Sequence, residues 1–255
     1  NTKDYKPLYD LSLVSNYIPI TKFIEDKYYA DRNAELHFNT LFLSSFQENF
    51  KNKDVYMSEG QIELINFAED NHKSFVLVAP TSYGKSDLMI SLVMKNLDKK
   101  VCVLVPTKAL LSQTRNNILN ELVSLGKKSR IITHPDMYKE EQQFIAILTQ
   151  ERLLRLLKKN NLLSFDLILI DEAHNLLEEG ARSSLLASVL IILRKRNPSS
   201  VFNYFTPFLI DSNVIEIPYL KEKLISKSVT EQLKSEHLYL VNLSINSSIR
   251  HYDQF

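Results

Sequence analysis

Apolar positions along the chain fall into short unbroken runs rather than alternating ones. Six recur: FVLVA (Phe75 to Ala79), VCVLV (Val101 to Val105), RIIT (Arg130 to Thr133), FIAIL (Phe144 to Leu148), DLILI (Asp166 to Ile170) and VFNYF (Val201 to Phe205). Continuous, β-branched runs of this length suit strands buried on both faces. Between most of them the spacing becomes helical. Leu88, Leu92 and Met94 follow the first run, Leu110, Ile118, Leu119 and Leu122 the second, and Leu153, Leu156 and Leu157 the fourth. Strand–helix alternation predicts an α/β domain with a mainly parallel sheet and helices on both faces.

The ends read differently. Residues 1–54 are rich in Tyr, Phe and Asn, with amphipathic patches such as LHFNTLFLSSFQENF (Leu36 to Phe50), and predict an accessory helical segment. From Pro218 the pattern predicts a helix or two and then one extended run. The expected organisation is therefore 1–54, a central domain over 55–217, and an extension over 218–255.

Composition narrows the classes. With 255 residues and 44% hydrophobic content the chain can build a proper core. A net charge of +1 excludes a sweeping basic field, so any polyanion must be gripped locally. The single cysteine, Cys102, sits in an apolar run and reads as a buried small hydrophobe, as in a reducing cytoplasm. The longest apolar run, Leu185 to Leu193, is far short of the ~20 residues a membrane span needs. No secretory signal is recognisable, and the start at Asn1 rather than methionine is that of a fragment.

Two places carry chemistry. Only four glycines occur, and one, Gly84, stands directly before Lys85 and Ser86, between the first apolar run and a helical pattern. Ala79, four residues, then Gly-Lys-Ser is the Walker A spacing with alanine for the first glycine. A strand-to-helix loop aims backbone N–H groups at one point and adds the positive end of the helix dipole. Ala79, Pro80, Thr81, Ser82, Tyr83 and Gly84 would wrap the phosphates of ATP, Lys85 would reach the β/γ-phosphates, and Ser86 would ligate Mg2+. The plain alternative is an ordinary turn with an exposed lysine.

The second place is Asp171-Glu172, just beyond the fifth run, at the edge where open parallel sheets bind ligands. Asp171 would hold Mg2+ and Glu172 would deprotonate the attacking water. An acidic helix start explains two acids equally well, but not their place after the most apolar run.

Walker A together with DEAH (Asp171 to His174) resembles the DEAD/DEAH-box branch of the superfamily 2 helicases. The smaller motifs agree. MSEGQIELI (Met57 to Ile65) resembles the segment whose glutamine reads adenine, here Gln61, although Ser58 and Gln61 equally form a helix capping box. PTKALLSQ (Pro106 to Gln113) resembles motif Ia, which implies that Pro106, Thr107 and Lys108 meet a nucleic-acid backbone. LTQERLLRLL (Leu148 to Leu157) resembles motif Ib, with Thr149 and Arg152 near phosphates of the same strand. The family pattern makes His174 a coupler to motif III, where YFTPFLID puts Thr206-Pro207 in place of the usual S-A-T.

The resemblance covers about Tyr56 to Phe208 and implies the first of two RecA-like P-loop domains. The second, with its arginine finger, is the expected missing partner: Leu238 to Phe255 resembles the approach to it, and nothing around Arg250 resembles the finger motif. Residues 1–255 alone are thus expected to bind ATP weakly and hydrolyse it very slowly. The implied function is ATP-driven movement along, or unwinding of, DNA or RNA. The alternatives are a remodelling translocase that separates no strands and a nucleotide-gated binding module with little turnover.

Overall fold

The computed structural model describes residues 4–29, 38–52, 55–80, 83–207, 215, 217, 224–229, 237–241 and 249–253. The N-terminal segment is helical, as its pattern predicts: α1 (Lys6–Val14), α2 (Ile18–Ile24), which runs on as a π-helical turn (Glu25–Tyr29), and α3 (Phe38–Gln47). A short hairpin of β1 (Lys51–Asn52) and β2 (Val55–Tyr56) leads into α4 (Glu59–Asp70).

The central domain then alternates as β3 (Phe75–Val78), α5 (Lys85–Lys95), β4 (Lys100–Leu104), α6 (Lys108–Ser124), β5 (Ile131–Ile132), β6 (Phe144–Leu148), α7 (Gln150–Lys159), β7 (Leu167–Ile170), α8 (Ala181–Arg196), β8 (Val201–Thr206) and β9 (Ile225–Ser228). These strands form one sheet in the order β5-β6-β4-β7-β8-β3-β9, and every pairing between neighbours is parallel. The fold is the α/β, RecA-like one expected, with all six apolar runs as strands.

The runs are continuous because alternate side chains feed two separate cores. Phe75, Leu77, Val101, Val103, Ile145, Ile147, Leu167 and Leu169 pack with α4, α5 and α6 on one face. Val76, Cys102, Leu104, Ala146, Ile168, Ile170 and Tyr204 pack with α7 and α8 on the other. Cys102 is buried, which pushes its thiol far above the usual range and leaves it inert. The apolar stretch Leu185 to Leu193 lies within α8, whose buried face is Leu186, Val189, Leu190 and Leu193, and no helix among the described residues is long and apolar enough to cross a membrane.

The C-terminal region departs from expectation. Where a helical pattern was read after Pro218, Ile225–Ser228 forms the edge strand β9, in register Phe75↔Ile225 through Val78↔Ser228. An edge strand needs no apolar signature: its backbone is paired on one side while its side chains stay largely in water. The later extended run is present as β10 (His237–Val241), paired antiparallel with β11 (Ile249–Asp253).

Candidate active site

Because the strands are parallel, their C-terminal ends share one rim. Val78 is level with Thr206, Tyr204 with Ile170, Ile170 with Leu104, and Leu104 with Leu148. The residues that follow each strand (Ala79 and Pro80, Pro207, Asp171, Pro106 and Thr149) therefore leave the sheet along a single edge. A ligand crevice belongs at such an edge.

The loop after β3 is pinned at its base, where Ala79 N–H donates to the Thr206 carbonyl at 3.0 Å. Tyr83 N–H closes a turn onto the Pro80 carbonyl at 3.0 Å. Gly84 caps α5 with φ +80°, in the left-handed region. An added Cβ would find its nearest neighbours 3.9 and 4.0 Å away, so conformation rather than crowding demands glycine here. Lys85 follows, 6% exposed, its ammonium donating to the Ala79 carbonyl across the loop. Burial lowers its pKa, while the carboxylates of Glu172 and Asp171 act in the opposite direction. Ser86 is exposed in the first turn of α5. Thr81 and Ser82 lie outside the described residues.

Across β8 stands the acid pair. Asp171 N–H donates to the Leu104 carbonyl at 2.9 Å, and its Oδ1 accepts from Glu172 N–H at 3.0 Å. Burial raises the Asp171 pKa and repulsion from Glu172 adds to it; Lys85, His174 and the Glu172 N–H oppose the shift without cancelling it. Glu172 itself sits at φ +50°, a backbone state that costs a non-glycine residue roughly 1–3 kcal/mol and clusters at functional sites. It swings the chain into a 3-10 turn (Ala173–Leu176) that brings His174 Nδ1 to 3.3 Å from Glu172 Oε2. Thr206, fully buried, ends the strand between the two halves of the site.

These groups fit a magnesium–nucleotide. A buried aspartate held above its usual pKa beside a second carboxylate favours an added cation. Among the described residues no cluster of three or more His, Cys, Asp or Glu occurs, so a Mg2+ held here would take most of its ligands from phosphates and water.

Gln61 is brought to the same place. Its Oε1 accepts from Ser58 N–H at 2.8 Å and Ser58 Oγ accepts from Gln61 N–H at 3.2 Å, a complete capping box on α4. Its Nε2 donates to the Tyr83 carbonyl at 3.5 Å. Tyr83 is 3% exposed, in the core beneath α4 and α5, so it packs rather than presenting its ring to a ligand.

Farther along the rim the candidate contacts divide. Thr107 and Lys108 are exposed at the start of α6, where Thr107 Oγ1 also accepts from Leu110 N–H at 3.2 Å. Pro106 is half-buried beside them. Thr149 is buried as the cap of α7, and Arg152 donates through a guanidinium N–H to the Thr133 carbonyl at 2.8 Å.

The DEAD/DEAH box helicase family model matches residues 58–205, more than half of the chain. The chain belongs to the DEAD/DEAH box helicase family. It is similar to Anti-bacteriophage protein B of Escherichia coli (strain K12), 34% identical over 104 residues, which is 41% of this chain and 13% of that protein. In fold it is similar to the DUF1998 helicase MrfA bound to DNA, with a TM-score of 0.55 and 17% identity over 70% of this chain and 28% of the other. The same helicase bound to DNA and AMPPNP gives a TM-score of 0.53 at 20% identity, over 70% and 27%. A hypothetical ATP-dependent RNA helicase from Sulfolobus tokodaii gives 0.51 at 19%, over 72% and 55%. The chain thus spans only part of each of these proteins, and it constitutes a helicase-type ATPase domain.

Two residues of this helicase domain escape motif reading as parts of the site. Ser58 Oγ lies 3.1 Å from Tyr83 Oη, and Tyr56, two residues earlier, donates its hydroxyl to Glu48 at 2.8 Å. The S-x-x-Q spacing signals the first; the second depends on a partner eight residues away in an irregular turn, which no local pattern encodes.

Proposed function

We propose that residues 55–217 are the ATP-binding half of a nucleic-acid-stimulated motor. The observation that carries this is geometric: buried Lys85, at the start of α5, and the Asp171–Glu172 pair, at the end of β7, stand on either side of β8 along one rim of the sheet. On binding ATP, Lys85 exchanges the Ala79 carbonyl for the β/γ-phosphates, while the loop from Ala79 to Gly84 wraps them and Gln61 faces the adenine. Ser86 and Asp171 would hold Mg2+, which when bound would neutralise charge on the phosphate oxygens. Glu172 takes a proton from the attacking water as its oxygen bonds the γ-phosphorus; the bond to the bridging oxygen breaks and its electron pair leaves with ADP. His174 reports the state of Glu172 toward Thr206.

One nucleic-acid strand lies along the rim at Pro106, Thr107, Lys108, Thr149 and Arg152. A second RecA-like domain supplies the arginine that completes the site, an addition worth about 10³–10⁵ in rate in nucleoside triphosphatases. Closure on ATP and opening after hydrolysis step the protein along its strand in the cytoplasm. A second reading, translocation without strand separation, is favoured by Pro207 directly after Thr206, where proline removes a donor and stiffens the turn.

The test is nucleic-acid-stimulated ATP hydrolysis by the full-length protein, read beside displacement of a labelled strand. Glu172→Gln is expected to retain ATP binding and lose about 10²–10⁴-fold in turnover. Unchanged turnover in that variant sinks the motor. Hydrolysis without displacement selects the second reading.

A further inference from the structure

A cleft of ≈1610 Å³ that runs along α5 and α6 takes in Gly84 and Lys85, and part of its wall comes from the N-terminal segment: Tyr17 and Ile20 line it together with Ser58 and Gln61. That segment carries an unusual buried cation. Lys22, on α2, is 3% exposed, and its ammonium donates to Glu25 at 2.9 Å, Ser44 at 3.0 Å and Glu48 at 2.5 Å. Three acceptors satisfy all three of its donors, as a buried ammonium requires.

Glu48 is shared. Both of its oxygens also accept from the Tyr56 hydroxyl, at 3.0 and 2.8 Å. The Tyr56 ring lies between two cations, with Lys22 Nζ 5.5 Å and Lys51 Nζ 5.4 Å from its centroid. Burial and the Glu48 bond push its pKa up to about 12, so it remains a donor. Just beyond it, Met57 N–H donates to the Phe50 carbonyl at 2.9 Å. The next residue is Ser58, whose backbone N–H holds Gln61 Oε1 and whose hydroxyl meets Tyr83 of the phosphate loop. A continuous line of polar contacts and two peptide units therefore joins α2 to the loop, passing through the glutamine on the base side.

Building on the nucleotide reading above, we propose that the N-terminal helical segment is a wall of the nucleotide site, with Tyr56, held by Glu48 and Lys22, as the residue that positions Ser58 and Gln61 against the purine. The phosphate grip hangs on other contacts: Lys85 and Ser86 open α5, and the Lys85 ammonium donates to the Ala79 carbonyl, at the far end of the loop from Tyr83. Loosening Tyr56 is thus expected to alter base selection and leave triphosphate binding in place.

Equilibrium titrations of the full-length protein with ATP, GTP and inorganic tripolyphosphate test this. Tyr56→Phe removes one oxygen and keeps the ring; Glu48→Gln weakens both of that residue's contacts. Each is expected to weaken ATP about three- to tenfold, the effect of one hydrogen bond to a charged partner, and to narrow the ATP-over-GTP preference. Tripolyphosphate affinity stays as in the unmodified protein. Should Glu48→Gln fail to fold, Tyr56→Phe decides alone. Unchanged ATP affinity in Tyr56→Phe overturns the proposal, and so does an equal loss for ATP and tripolyphosphate, which is general loosening. Lys85→Ala separates this from its foundation: if that variant binds all three ligands normally, the phosphate reading falls; if it loses them while Tyr56→Phe is unaffected, only the positioning role falls.

Discussion

The hydroxyls of Tyr83, in the phosphate loop, and Ser58, the cap of α4, lie 3.1 Å apart. With the Gln61 amide on the Tyr83 carbonyl at 3.5 Å, two polar contacts tie the loop to the helix that carries the base-side glutamine. Tyr83 is a strut: the ring fills the core between α4 and α5 and its hydroxyl ends on the helix cap.

Replacing Tyr83 should therefore register in stability. Tyr83→Gly removes a buried ring, and large-to-small changes of that kind cost about 3–5 kcal/mol. Tyr83→Phe keeps the ring and loses the hydroxyl contact with Ser58, about 1 kcal/mol. In thermal melts each kcal/mol reads as about 2–4 °C for a domain of this size. A glycine variant as stable as the tyrosine form would show that the ring contributes no packing.

How far such features were legible follows from how local their causes are. The strands from β3 to β8 announced themselves because both faces are largely buried, which leaves few polar positions in the runs, Asn203 in β8 among them. β9 gave no such signal: Ile225 is 42% exposed, and what fixes the strand is backbone pairing with β3. Gly84, Lys85, Asp171 and Glu172 were readable because spacing and strand ends suffice to bring them to one rim. Whether Tyr83 stacks or packs depends on α4, and the burial of Lys22 depends on Glu48 and Ser44, contacts between distant residues that no periodicity carries.

Asp171 should be costly to the fold and necessary to the site. Its pKa is raised chiefly by burial, then by Glu172. The folded chain therefore holds the proton more tightly than the unfolded chain does. The penalty is absent below the ordinary aspartate value, grows as pH rises toward the raised value, and is fully present above it. Asp171→Asn is expected to raise Tm at neutral pH and to flatten the loss of stability on leaving acid conditions. Magnesium–nucleotide affinity should fall by at least the roughly 10–100-fold typical of outer-shell partners. Melts from pH 4 to 8 beside Mg–ATP titrations check both halves, and a destabilised Asn variant contradicts the charge argument.

Lys108 and Arg152 are both candidates for the nucleic-acid strand, and their surroundings predict different behaviour. Lys108 is exposed at the first position of α6, with its ammonium carried on a side chain open to solvent. Removing a phosphate-binding lysine weakens a single strand and lowers the slope of log K against log[salt] by about 0.7. Lys108→Ala should do this and leave Tm unchanged. Arg152 also donates to the Thr133 carbonyl at 2.8 Å, tying α7 to the end of β5. Arg152→Ala should reduce the slope and lower Tm as well, since a hydrogen bond from a charged group contributes about 1.5–3 kcal/mol. Anisotropy of a labelled oligonucleotide at several salt concentrations, with a melt for each variant, separates the two. If Lys108→Ala leaves the slope where it was, the strand does not pass the start of α6; if Arg152→Ala lowers Tm alone, that guanidinium serves the fold and touches no phosphate.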